Sequence, residues 1–261
     1  MPAMIFDILT LIPEACEPYI QASILGRAAK AGLINVRLTN VRDYAHDKHR
    51  TVDDAPYGGG NGMVMMPGPL VEAIESLPPE PKGPVILLSP QGRVFNQKIA
   101  RELAQEQRLT LVCGRYEGVD ERVRLLKIDQ ELSLGDYVLS GGEIAALAVV
   151  DAVSRLIPGV LGGEQSAEAD SFMDGLLEHA HYTRPPEFRG LGVPGVLLSG
   201  NHGAIARWRR KESLRRTLRR RPELMKSAGL DQDDEDLLAE IIEEGDEGPG
   251  GAGGAGRAKK E

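Results

Sequence analysis

Residues 85–118 read VILLSPQGRVFNQKIARELAQEQRLTLVCGRYEG, and this stretch decides the fold. Val85-Ile86-Leu87-Leu88 and Leu109-Thr110-Leu111-Val112-Cys113 are continuous apolar runs between breakers, the pattern of strands buried on both faces of a parallel sheet. Between them, Asn96 is placed to cap a helix reaching about Gln107. Each run ends in a small or glycine-containing turn, Ser89-Pro90-Gln91-Gly92 and Gly114-Arg115-Tyr116-Glu117-Gly118. Strands alternating with helices in this way indicate an α/β domain with a mainly parallel sheet.

The alternation continues outward. Upstream, Ile5-Phe6-Asp7-Ile8-Leu9 and Ile34-Asn35-Val36-Arg37-Leu38 read as strands on either side of a helix over Ala22 to Ala31. Downstream, a third glycine-containing turn, Ser133 to Gly142, leads into a helix expected from Gly142-Glu143 through Ile157, ending before Pro158-Gly159. Ligands of open α/β sheets bind where the carboxyl-end loops converge. One such turn is usually only a turn; three, each after a buried strand, point to a ligand site. The pattern G-x-x-x-x-G-K-[ST] is absent, which excludes a P-loop. Gly58-Gly59-Gly60-Asn61-Gly62 is followed by Met63 and does not fit the dinucleotide fingerprint G-x-G-x-x-G. His46 and His49 have no third and fourth metal ligand following them and read as solvated side chains.

After Gly159 the texture changes. Gly162 to Ala169 is small and polar and reads as a flexible linker, whereas from about Ser199 the pattern is helical. The glycine- and alanine-rich end, 245–261, is expected to be disordered and dispensable for activity. No run of 18 apolar residues occurs and the start has no basic-then-apolar leader, so neither a membrane partner nor a secretory signal is expected. Cys16 and Cys113 are too few for a disulfide framework and fit a reducing, cytoplasmic compartment.

Net charge is −8 over 261 residues, but it is unevenly placed. Asp231 to Glu247 holds ten acids and no base, and Gly248 to Glu261 holds three bases and one acid, leaving 28 bases and 28 acids in residues 1–230. Within that neutral body, Arg207 to Lys226 carries ten bases against Glu212 and Glu223. Charges of nearly one sign on a helical segment suggest contact with phosphates, hence a nucleic acid. Trp208, the only Trp, is expected to pack in the small domain.

The blocks His46-Asp47-Lys48-His49-Arg50-Thr51-Val52-Asp53-Asp54, Ser89 to Gly92, Cys113 to Arg122, Gly135 to Glu143, His181-Tyr182-Thr183-Arg184-Pro185 and Leu197 to His202 closely resemble, in colinear order, the bacterial tRNA (guanine-N1)-methyltransferase family of the SPOUT superfamily. The resemblance runs from residue 4 to about 225. It implies a trefoil-knotted, parallel-sheet α/β catalytic domain over 1–162, followed by a linker over 163–175. A small all-α, tRNA-binding domain over 176–244 and the tail 245–261 complete the chain. It implies that S-adenosylmethionine is clasped by Ser89, Pro90 and Gln91, by Gly114, Tyr116 and Glu117, and by Leu134, Gly135, Asp136, Tyr137, Val138, Leu139, Gly141 and Gly142. Asp170, in Asp170-Ser171-Phe172, maps to the general base and Arg155 to its cationic partner. The resemblance further implies a homodimer with shared active sites, dependence on Mg²⁺ with Glu117 near the metal, and a substrate guanosine immediately 3′ of the anticodon in the tRNA anticodon stem-loop. Ala145 departs from the pattern, since many relatives carry proline there. Two alternatives share parts of the pattern: a ribose methyltransferase acting on another RNA, and a non-catalytic RNA-binding protein with a vestigial cofactor pocket.

Overall fold

A computed structural model describes residues 3–162 and 170–245. The remainder, which includes most of the expected linker and nearly all of the expected tail, lies outside the described residues. The chain divides into two compact units, Met1–Ala167 and Glu168–Glu261.

The first unit runs β1 (Met4–Thr10), α1 (Glu17–Ile20), α2 (Ser23–Lys30), β2 (Ile34–Asn40), β3 (Asp53–Asp54), β4 (Val64–Met65), α3 (Pro67–Glu75), β5 (Val85–Val94), α4 (Gln97–Leu103), β6 (Arg108–Cys113), α5 (Glu121–Lys127), β7 (Gln130–Ser133) and α6 (Glu143–Ser154). Five strands pair in the order β2-β1-β6-β5-β7, every pair parallel, as the apolar runs predict. β3 and β4 form a separate antiparallel pair. The sheet is buried on both faces because alternate residues of one strand feed two cores. Phe6, Ile8, Leu109 and Leu111 pack with Leu25, Leu103, Val149 and Val153 of α2, α4 and α6. Leu9, Leu87 and Val112 pack instead with Leu70, Ile74 and Val123 of α3 and α5. Each such large apolar side chain contributes about 1.5–3 kcal/mol by leaving water. Asp7 is fully buried in β1 and held by Arg37 at 2.6 Å and Arg108 at 2.5 Å, the pairing that an interior carboxylate requires.

Three local readings change. Asn96 does cap α4, accepting from the Ile99 amide at 3.1 Å, but the helix stops at Leu103. α6 stops at Ser154, where the amides of Leu156 and Ile157 turn back three residues to Val153 and Ser154, tightening the chain ahead of Pro158. Ser89 to Gly92 is no loop after a strand but an excursion inside β5. Leu88 and Arg93 both pair with Leu132, and the four residues between them leave the ladder.

The second unit contains β8 (Glu187–Phe188), β9 (Leu191–Gly192), α7 (Gly195–Leu198), α8 (His202–Arg220) and α9 (Gln232–Glu243). Asn201 caps α8, and Asp231 with Asp234 forms a capping box at α9. Leu176, Leu214, Leu237 and Ile241 make its core. The acidic stretch from Asp231 is therefore, over Gln232–Glu243, an amphipathic helix. Its carboxylates and that of its C-cap Glu244 pair with part of the basic charge of α8: Arg210 with Asp234 at 2.6 Å, and Lys211 with Glu240 at 2.7 Å and Glu244 at 2.6 Å, while Arg207 also pairs with Glu240 and Arg215 with Glu244. The guanidinium of Arg210 holds the Asp234 carboxyl below the usual range. Part of the charge inferred for residues 207–226 is thus paired within the unit, while Arg209 and Arg220 are exposed.

Candidate cofactor pocket and catalytic residues

The strand order sets β6, β5 and β7 side by side, so their carboxyl ends bring the three glycine-containing segments together. They enclose a cavity of about 290 Å³, at the lower end for small-ligand sites. Every residue expected to contact the cofactor lines it except Asp136, which stands exposed at the tip of the third loop. Leu87, Leu88, Leu132 and Ala145 add an aliphatic wall that the loop motifs do not reveal.

Backbone contacts zip the loops. The Gly142 amide donates to the Gly114 carbonyl at 2.9 Å, and Arg115 bridges to Gly141. A β-carbon on Gly142 would stand 2.8 Å from Cys113 Cα, so only glycine allows this approach. The same holds at Gly92, where a β-carbon would meet the Glu131 backbone at 2.4 Å. Tyr116 adopts φ 59, a left-handed conformation that costs a bulky residue about 1–3 kcal/mol and persists only where its surroundings enforce it. Its hydroxyl accepts from Arg42 at 3.4 Å. Glu117 donates its amide to Met63 at 3.0 Å, and its carboxylate packs over Gly62, where a side chain would collide with it. The glycine run that fits no nucleotide fingerprint therefore makes room for a residue of the pocket.

Two supports escape sequence reading. Arg124 on α5 pairs with Glu131 at 2.6 Å and reaches Ser89 at 3.4 Å and Gln91 at 3.3 Å, tying the β5 excursion to β7. Glu143, 5% exposed, accepts from Thr10 Oγ at 2.7 Å and from Arg115 at 3.2 Å. It thereby joins the end of β1, the second loop and the start of α6. Nothing in their spacing marks these groups; the crossovers bring them together. Glu143→Gln keeps the shape but removes the charge facing Arg115. Its S-adenosylmethionine Kd should rise about tenfold, or ~1.4 kcal/mol, by calorimetry. An unchanged Kd would remove Glu143 as a support of the pocket.

Cys113 is fully buried beside this junction, and burial together with Glu143 pushes its thiol well above the ordinary value. Cys16 is pushed up to about 11 by the same causes. Neither is a thiolate at neutral pH, so both are core residues rather than nucleophiles.

Arg155 is the C-cap of α6 in the first unit, half-buried. Asp170 belongs to the second unit and sits on an ordered turn. Its carbonyl accepts from the Met173 amide at 3.2 Å, the Phe172 amide donates to Leu176 at 2.7 Å, and Ser171 Oγ accepts from the Glu178 amide at 3.0 Å. Leu176 in the core anchors that turn.

The family described as tRNA (Guanine-1)-methyltransferase TrmD matches residues 4–227. A tRNA (guanine-N(1)-)-methyltransferase of Dehalococcoides mccartyi (strain ATCC BAA-2266 / KCTC 15142 / 195) is 58% identical over 244 residues, covering 92% of this chain and 98% of the relative. Proteins of the same description from Geobacter sp. (strain M21), 58% identical over 239 residues, and Geobacter sulfurreducens, 56% over 244, cover 91% and 93% of this chain and 96% and 100% of their own lengths.

Proposed function

Since the chain belongs to the tRNA (Guanine-1)-methyltransferase TrmD family, we propose that it methylates N1 of the guanosine immediately 3′ of the anticodon in tRNA, giving N1-methylguanosine and S-adenosylhomocysteine. The observation that carries this reading is the cavity at the carboxyl ends of β5, β6 and β7, closed by three glycine-dependent loops. It suits an adenine nucleoside: aliphatic side chains for the ring faces, and loop amides and carbonyls for its polar edge. S-adenosylmethionine, when bound, supplies a methyl group on a sulfonium that departs as a neutral thioether.

The protein's own residues then have two tasks. N1 of guanine carries a proton at neutral pH and attacks only as that proton leaves. Asp170 takes this proton as general base. Negative charge gathers on O6 as it departs, and the Arg155 guanidinium stabilises it. The pocket loops align the donor with N1. For Mg²⁺ the pocket offers Glu117 as the only acid among its lining residues, a single carboxylate where a protein-held ion would need further oxygen ligands.

The SPOUT trefoil knot and a homodimer with shared active sites belong to the same proposal. Exposed apolar side chains on α5 (Leu125, Leu126), on the third loop (Val138, Leu139) and at the start of α6 (Ile144) support an interface there. Among the described residues no helix is long and apolar enough to cross a membrane. Two protonated thiols suit a cytoplasmic enzyme.

The test is methyl transfer from labelled S-adenosylmethionine to paired tRNA transcripts with and without guanosine 3′ of the anticodon. Label should enter only the first. Equal labelling would refute the target, and labelled ribose would favour the 2′-hydroxyl chemistry of the rival reading.

A further inference from the structure

We propose that Glu178, His179 and His181 form a binding site for one divalent transition-metal ion of the zinc class, separate from the cofactor pocket. The three side chains offer one ligand atom each, all within 4.8 Å of one another. Ligand atoms around tetrahedral zinc, with bonds of about 2.0–2.1 Å, lie roughly 3.3 Å apart. Glu178 Oε and His181 Nε2 are already 2.8 Å apart, within that spacing. Two imidazoles and a carboxylate are borderline ligands that suit zinc, nickel or copper better than magnesium.

His179 Nδ1 lies 3.0 Å from the Ala180 carbonyl. A backbone carbonyl can only accept, so this contact favours a proton on Nδ1 and a lone pair on Nε2, the orientation common to metal-bound histidines. The rings of His179 and His181 are 4.5 Å apart, and that of Trp208 lies 6.3 Å from His179. Trp208 thus packs inside the small unit, as the sequence suggests. Both histidines line a cavity of about 490 Å³ together with Arg184 and Arg209. Three protein ligands leave a fourth coordination position, open to water or an anionic oxygen.

The protein contains its own control. His46 and Glu72 also form a His–carboxylate pair, at 2.7 Å, but no three-ligand group includes them among the described residues. An ion pair alone therefore predicts equal behaviour at the two places, whereas a metal site predicts different behaviour.

The experiment uses the full chain without a histidine tag. Zn²⁺ is titrated by calorimetry, and Ni²⁺ by fluorescence of Trp208, the only tryptophan. One zinc per chain and quenching by nickel are expected. His179→Asn and His181→Asn should each weaken binding by at least about tenfold. Glu178→Gln should weaken it less, and His46→Asn should leave it unchanged. Unfolding temperatures in the absence of metal verify that each variant is folded. Equal zinc affinity in wild type, H179N and H181N would overturn the site, as would loss of binding on His46→Asn. The methyl-transfer assay is not part of this readout, so failure here leaves the proposed function standing.

Discussion

Asp170→Asn should bind S-adenosylmethionine as the wild type does and lose about 10²–10⁴-fold in kcat, the usual contribution of a positioned general base. The substitution is nearly isosteric. It preserves the backbone bonds of the turn, in which the Asp170 carbonyl accepts from Met173 and Phe172 donates to Leu176. It removes the carboxylate's capacity to accept a proton from N1. A structural role would reduce stability and binding together, whereas a base leaves both in place. Calorimetry and single-turnover transfer on the same sample decide it. Turnover within a few-fold of wild type would remove Asp170 from the role, and the rest of the assignment would then need another proton acceptor.

Gly142→Ala should cost S-adenosylmethionine binding by more than tenfold and lower the unfolding temperature. The backbone at Gly142 is φ −78, ψ −3, helical and open to any residue, so conformational strain plays no part. The cost is spatial. The added methyl would stand 2.8 Å from Cys113 Cα and 3.1 Å from the Gly114 amide, both backbone atoms of the neighbouring loop. Relief requires the second and third loops to separate, which stretches the 2.9 Å bond from the Gly142 amide to the Gly114 carbonyl and opens the clasp. Overpacking of this kind costs about 1–3 kcal/mol. At the size of this unit that lowers the unfolding temperature by roughly 2–4 °C for each kcal/mol. Gly68→Ala on α3 is the matched control, because its added methyl meets nothing within 4 Å and its φ is not positive. G142A with wild-type affinity would show that the clasp does not depend on this approach.

Much of the first unit was legible because its chemistry is local. Apolar runs such as Val85–Leu88 and Leu109–Cys113 can be satisfied only as doubly buried strands, and Asn96 announces a helix start through its own side chain. β7 was harder to read, since Gln130-Glu131-Leu132-Ser133 has one buried apolar residue and takes its strand form from pairing with β5. Charge was legible as composition but not as a field. The bases of 207–226 looked unopposed because their partners, Asp234, Glu240 and Glu244, lie more than twenty residues away and return only when Leu237 and Ile241 bury against Leu214.

The parallel α/β unit, the helical second unit, the three glycine-containing segments and, through colinear motif blocks, the family can all be read from the amino-acid order. Those features are written in residue types and short spacings, which fix local conformation and burial. Tertiary structure alone decided that Ser89–Gly92 leaves a strand to meet the pocket, that Gly62 seats Glu117, and that Glu143 and Arg124 brace the loops. It alone brought Glu178, His179 and His181 to a common point beside Trp208. Each of these depends on a close approach between segments distant along the chain, or on rotamers set by neighbours, and neither is encoded in the spacing of residues along one segment.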